Sequence, residues 1–286
     1  MSEPTPRAGS DPPDRSPELL SVGPDGLPGV APRWGLGDVV VGFLCFLGAV
    51  LLGQVVVLAV TNYATSGASG TGAAFGQVAG HLALGEAPAF RPPMPLWLTA
   101  VLQVPLWAGL LGVPLVVTTR KGNGPVRDLG LRFRWFDVPV GLAVGAAAQF
   151  VLVPLIYWPI FKLIGHQDVS AAARQLTDRA TDPMGVVLLF LIVGIGAPFN
   201  EEIFFRGLTQ RSLERRWGTV VAVVGTAVFF AAAHLQPLQF PALLAFGLVL
   251  GLIAQRTGRL GMSIFAHVGF NCLAAASLVW DLGLPG

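Results

Sequence analysis

Charge is scarce in this sequence. Only 12% of its 286 residues are Asp, Glu, Lys or Arg, and 53% are hydrophobic, against roughly a quarter charged in ordinary soluble domains. A soluble globular protein is thereby excluded. Cysteine is nearly absent: Cys45 and Cys272 each lie within an apolar run, where a thiol behaves as a small hydrophobe. Neither a disulfide framework nor a thiolate metal site is indicated. The net charge is +2 and the basic residues are scattered over loops, which leaves no footprint for nucleic acid. Long segments of alternating polarity, the mark of a membrane barrel, are missing as well.

What remains is a series of apolar runs, each near the roughly 20 residues that cross a bilayer as a helix. They fall at about 36–61, 96–118, 137–163, 184–210, 217–235, 239–255 and 260–280. The fold class expected is all-α, a polytopic transmembrane helical bundle of about seven spans. Residues 1–33 are rich in Pro, Gly, Ser and Asp, cannot repay the entropy of ordering, and read as a disordered cytoplasmic tail. Residues 34–286 form the membrane domain. The tail has neither the basic start nor the short apolar core of a cleavable signal, so the first span is expected to serve as an uncleaved anchor.

Lys and Arg set the orientation. With the N-terminus inside, the inner loops and tail hold 13 of them and the outer loops four, Arg91, Lys162, Arg174 and Arg179. The N-terminus is expected in the cytoplasm and the C-terminus outside, in a plasma or inner membrane. The piece "VRDLGLRFRWFD" alternates basic with apolar and aromatic residues, and reads either as a segment lying along the inner headgroups or as a solvated loop.

Charges inside membrane helices cost roughly 2.5–3.5 kcal/mol each on insertion scales and mark functional or paired groups. Here the interior ionisable groups are Glu201, Glu202, Arg206, His234 and His267, while His81 and His166 fall in loops. Glu202 and Arg206 are four apart with the acid first, the favourable order for an intrahelical ion pair. Glu201 points about 100° away and is left over. Phe230 shares a helix face with His234, and His267 shares one with Asn271. Glu201 lies 16 residues before Trp217 and His234 lies 17 after it, so a turn near Trp217 and Gly218 would set them level. Such a bundle would gather a carboxylate, two imidazoles and a carboxamide in one cavity. That set can perform hydrolysis. A zinc metallopeptidase is a second possibility, although HExxH is missing. A scaffold or self-immunity protein that binds a partner is a third, and a proton-coupled carrier, which lacks the expected internal repeat, a fourth.

The three motifs "EEIFFR" (Glu201, Glu202, Arg206), "FAAAH" (Phe230, His234) and "HVGFN" (His267, Asn271) resemble EExxxR, FxxxH and HxxxN of the CPBP intramembrane proteases, the CAAX-protease and bacteriocin-processing family that includes Abi-like proteins. The resemblance covers about residues 183–275. It implies a metal-independent glutamic endopeptidase, without cofactor, acting on a membrane-associated protein or peptide. Carried over by position, Glu201 would activate a water with help from His234. His267 and Asn271 would stabilise the oxyanion, and Glu202, Arg206 and Phe230 would support the site.

Overall fold

The computed structural model describes residues 20–22, 28–66 and 96–282. Most of the segment read as a tail therefore lies outside the described residues, as do His81 and Arg91. Within that segment two three-residue strands, β1 (Leu20–Val22) and β2 (Pro28–Val30), pair antiparallel with Leu20 opposite Val30. Every other described regular element is helical. These are α1 (Leu36–Ser66), α2 (Leu96–Lys121), α3 (Pro125–Asp128), α4 (Asp137–Ile164) and α5 (Ala171–Thr177). Then come α6 (183–217), α7 (219–233), α8 (Phe240–Thr257) and α9 (Gly261–Val279).

By length and apolarity the described residues hold six candidate membrane spans, the fourth running over Pro183–Ala233. That fourth stretch is two helices. Gly218 has φ 81 and ψ 174, a conformation essentially restricted to glycine, and there the chain doubles back. Phe205 meets Phe230 at 5.3 Å between ring centroids, and Gly225 packs against Leu213, as an antiparallel hairpin centred on residue 218 requires. The expected turn is where the glycine permits it, and with both arms counted the described residues hold seven long bundle helices, in keeping with the about seven spans anticipated. Arg211 Nη2 donates to Gly258 O at 2.9 Å, so the α8–α9 turn is level with Arg211, roughly 10 Å short of the hairpin tip at 1.5 Å per residue.

Three spans contain wide π-helical turns, at Ala108–Gly112, Ala148–Leu152 and Phe190–Gly196. Each is followed within two residues by a proline: Pro114, Pro154 and Pro198. A proline has no N–H to donate and its ring collides with the carbonyl one turn earlier; widening the turn relieves both problems. A fourth wide stretch, Ile203–Gln210, follows the paired glutamates and is buried throughout.

The core sits around that stretch. Ile203, Phe204, Leu208, Phe230, Leu129 and Leu260 are fully enclosed, with Leu129 coming from the connector between α3 and α4. Helices α4 and α9 run parallel and very close. A Cβ on Gly141 would lie 2.7 Å from Phe265, and one on Gly145 2.6 Å from the backbone of Phe270. Between α6 and α8, also parallel, Arg206 and Gln210 donate to Gly247 O at 3.2 Å and Gly251 O at 3.0 Å, and Gln255 donates to Glu214. One polar rung per turn thus locks the register of two helices that have no hydrophobic drive to associate inside lipid.

Candidate active site

Helix α6 presents three charges through one turn. Glu202 and Arg206 are wholly enclosed, with Arg206 Nη1 donating to Glu202 Oε1 at 2.7 Å. The guanidinium also lies over the Phe230 ring, 4.5 Å from its centroid. This is the local pairing that the four-residue spacing anticipated. Glu201 takes the other direction, keeps a fifth of its side chain exposed, and lines a cavity of about 650 Å³.

His267, from α9, lies between the two acids. Its Nδ1 is 3.0 Å from Glu202 Oε1, and its Nε2 is 3.8 Å from Glu201 Oε2. A carboxylate can only accept, so the first contact makes Nδ1 the N–H and directs Nε2 towards Glu201; 3.8 Å is too long for a direct hydrogen bond. The edges and faces of Phe230 and Phe246 pack about the imidazole, at 5.7 and 5.6 Å between centroids. His267 is therefore tightly held.

His234 ends α7 and is half-buried. Its Nδ1 is 2.7 Å from Phe230 O, and a carbonyl likewise accepts only, so Nδ1 donates and Nε2 is left for other partners. Glu201, His234 and Asn271 all line the same cavity. The expected level placement of Glu201 and His234 is thus met, and Phe230 serves as the ring that packs on His234 at 4.7 Å and on Arg206.

Asn271 Nδ2 donates to Val193 O at 3.0 Å. The reason lies in the wide turn: Ala197 N–H reaches back five residues to Ile192 O, and in that register the donor due to Val193 O belongs to Pro198, which has none. Asn271 supplies the missing donor across helices. Its second N–H is not consumed by this bond.

The cavity body is apolar, with Val153, Leu189, Ala197 and Phe270 among its walls, and its rim is polar, built from His166, Asp168 and Arg174. Two bonds tie the α7–α8 link beneath that rim: Gln239 Nε2 to Val169 O and Tyr157 Oη to Leu238 O, each 2.7 Å. Sequence reasoning missed Tyr157, Gln239 and the 165–182 segment as parts of the site. A tyrosine inside an apolar span and a glutamine flanked by Pro237 and Pro241 were the available signals. It also missed Gly247 and Gly251, whose four-residue spacing marks close helix packing. Among the described residues no group of three or more His, Cys, Asp or Glu side chains is arranged to hold a metal ion.

Fold and site together define an integral, multi-pass helical membrane protein with a buried acid, imidazole and amide cluster on the wall of a cavity. Residues 183–273, about a third of the chain and the part that carries the cluster, match the family model described as Type II CAAX prenyl endopeptidase Rce1-like, in line with the resemblance of its three motifs. No curated protein and no solved structure matches the chain.

Proposed function

We propose that the protein hydrolyses a peptide bond of a membrane-associated protein or peptide, with Glu201 as the general base. The reading is carried by one observation: Glu201, the ionisable group left over from the buried pair, shares a cavity with His234 and Asn271. A water between Glu201 and His234 Nε2 would pass a proton to the carboxylate as its oxygen adds to the substrate carbonyl carbon. The second N–H of Asn271, and His267 when its Nε2 bears a proton, would donate to the oxygen on which charge develops, an interaction strengthened where water is excluded. Collapse of that adduct breaks the C–N bond, and the proton held by Glu201 passes to the departing amine. Glu202 and Arg206 act on this chemistry by position: they fix His267 and neutralise one another.

A partner-binding scaffold is the second reading, favoured by the number of polar side chains here that bond across helices, such as Arg206 to Gly247 O and Asn271 to Val193 O. One experiment separates the two. New protein termini are compared by mass spectrometry in membranes of cells expressing wild type or Glu201→Gln at matched levels. Termini that require Glu201 are expected, with their rate of appearance reduced about 10²- to 10⁴-fold in the variant, the usual worth of a general base. Identical termini from both would remove Glu201 from the mechanism.

A further inference from the structure

The cavity that holds Glu201 is closed towards one end of the bundle and open towards the other. We infer that its mouth faces the extracytoplasmic side of the membrane. On the reading of Glu201 as the general base, the polypeptide cut there is an exported segment that enters from outside as an extended strand.

The floor lies towards the hairpin tip. On each helix the lining residue nearest that tip is Gln149 of α4, Glu201 of α6, Leu243 of α8 and Phe270 of α9. Beyond them the interior is filled. Ile203, Leu208, Phe246, Leu250, Ile264 and Ala266 are each at most 3% exposed, and α4 and α9 meet at Gly141 and Gly145 too closely to admit a methyl group. Interiors packed in this way leave few voids larger than a water molecule, so a peptide does not reach Glu201 from that end. The mouth is opposite. His166, Asp168, Ala173 and Arg174 are exposed on its rim, and Leu278 borders it in the last turn of α9. Trp158 and Trp280, 67% and 58% exposed, mark headgroup level on this side, and Lys162 lies over the Trp158 ring.

Basic residues fix which side is which. The fold ties the basic segments of the chain together at the closed end. Arg33 N–H donates to Lys121 O at 2.8 Å, Arg215 Nη2 to Trp34 O at 2.9 Å, Arg211 Nη2 to Gly258 O at 2.9 Å and Leu260 N–H to Gly130 O at 2.8 Å. Residues 33–34, the connector between α2 and α4, the hairpin tip and the α8–α9 turn therefore share one side of the bundle. These segments hold Arg120, Lys121, Arg211, Arg215, Arg216 and Arg256 among others, whereas the described residues of the mouth end hold Lys162, Arg174 and Arg179. Short loops rich in Lys and Arg stay in the cytoplasm, and the rule counts those residues, not net charge. The closed end is thus cytoplasmic, and the mouth is outside.

Depth then shapes the substrate. Glu201 lies twelve residues below Leu189 on α6, and Asn271 lies seven below Leu278 on α9, so the pit is about 10–18 Å deep at 1.5 Å per residue. An extended chain covers that distance in about three to six residues at roughly 3.3 Å each. A folded domain stops at the rim, and only a strand hanging from it brings a peptide bond to Glu201.

The test measures from which side of the membrane the cavity is reached. In the full-length protein Cys45 and Cys272 are replaced by Ala. Single cysteines are then introduced as Ala173→Cys on the rim, Ala274→Cys on the cavity wall and Arg216→Cys beside the hairpin tip. Each variant meets a membrane-impermeant charged maleimide in spheroplasts and in inside-out vesicles. Ala173→Cys and Ala274→Cys are expected to react at least about tenfold faster in spheroplasts, and Arg216→Cys at least about tenfold faster in the vesicles, because an impermeant reagent modifies a thiol only where it has access. Faster reaction of Ala274→Cys in vesicles, or of Arg216→Cys in spheroplasts, would overturn the inference. So would an Ala274→Cys thiol that reacts from neither side while Ala173→Cys does. Ala197→Cys, one turn before Glu201, takes the place of Ala274→Cys should that variant not be monodisperse. Labelling needs no proteolysis, so this result and the Glu201→Gln comparison fail independently. Termini that require Glu201 should fall on extracytoplasmic segments, and termini confined to cytoplasmic segments would equally overturn the inference.

Discussion

Helices α1 and α6 are both long, apolar membrane helices, yet they solve opposite problems. In α1 only 11% of the spanning window is buried in protein, and Val40, Leu44, Leu51 and Leu52 face outward. In α6 the whole stretch Ile203–Gln210 is enclosed, including the guanidinium of Arg206. The first is dressed for lipid. The second is dressed for its neighbours, with a polar rung to α8 on every turn. Membrane chemistry explains the contrast: lipid tails offer no penalty to exposed Val or Leu, but a charge among them must find a partner inside the protein. The enclosed stretch lies within the segment 183–273 matched by the family model.

Mutations should break the two regions unequally. The largest loss of stability is expected for Arg206→Ala, which strands the enclosed Glu202 carboxylate; about 3–5 kcal/mol is typical when one partner of a buried pair is removed. The yield of monodisperse protein and its thermal unfolding in detergent would show this. Adding Glu202→Gln to Arg206→Met should recover much of that loss, since no uncompensated charge then remains. A double variant as poor as Arg206→Ala would mean that packing on Phe230, not charge, holds the helix.

Smaller effects separate structure from chemistry. Asn271→Ala leaves Val193 O without its donor and should cost about 1–3 kcal/mol, and the same variant should slow cleavage if its other N–H meets the oxyanion. Full stability with slow cleavage would confine Asn271 to the reaction. Gly218→Ala forces a Cβ into a glycine-only conformation at the hairpin tip and should cost about 1–3 kcal/mol, read as a lowered unfolding midpoint; no change would place the reversal of chain direction on other residues. The smallest effect belongs to the lipid-facing region. Lys121 pairs with Asp38 at the start of α1, with half of the lysine exposed, and Lys121→Ala should cost less than about 1 kcal/mol. A drop comparable to that of Arg206→Ala would erase the distinction between the two regions.

Much of this was open to reading because it is local. Apolar run length sets the spans, and helix periodicity puts Arg206 over Glu202 whatever the rest of the chain does. The same arithmetic placed the turn at Gly218 and set His234 level with Glu201. The paired contacts of His267 could not be read that way. Its partner acids are 65 and 66 residues distant in sequence, and only the packing of α9 against α6 makes the imidazole bridge them. Asn271 is the sharper case. As one member of HxxxN it looked free to act on substrate, whereas the wide turn before Pro198 creates a carbonyl that claims one of its protons.

The sequence by itself thus determined that the chain enters a membrane, which glutamate is neutralised by its own helix, and which is left over. Those are consequences of composition and of spacing within one element. Tertiary structure alone decided what surrounds the leftover acid: His267 behind it, His234 and Asn271 beside it on the cavity wall, and a polar rim from residues 166–174 above. It also joined Asp137 to Arg259, 122 residues apart, at the opposite end of the bundle. Contacts of that kind depend on how helices pack, and inside a bilayer packing is governed by small residues, prolines and polar rungs spread over several spans, which no single stretch of sequence contains.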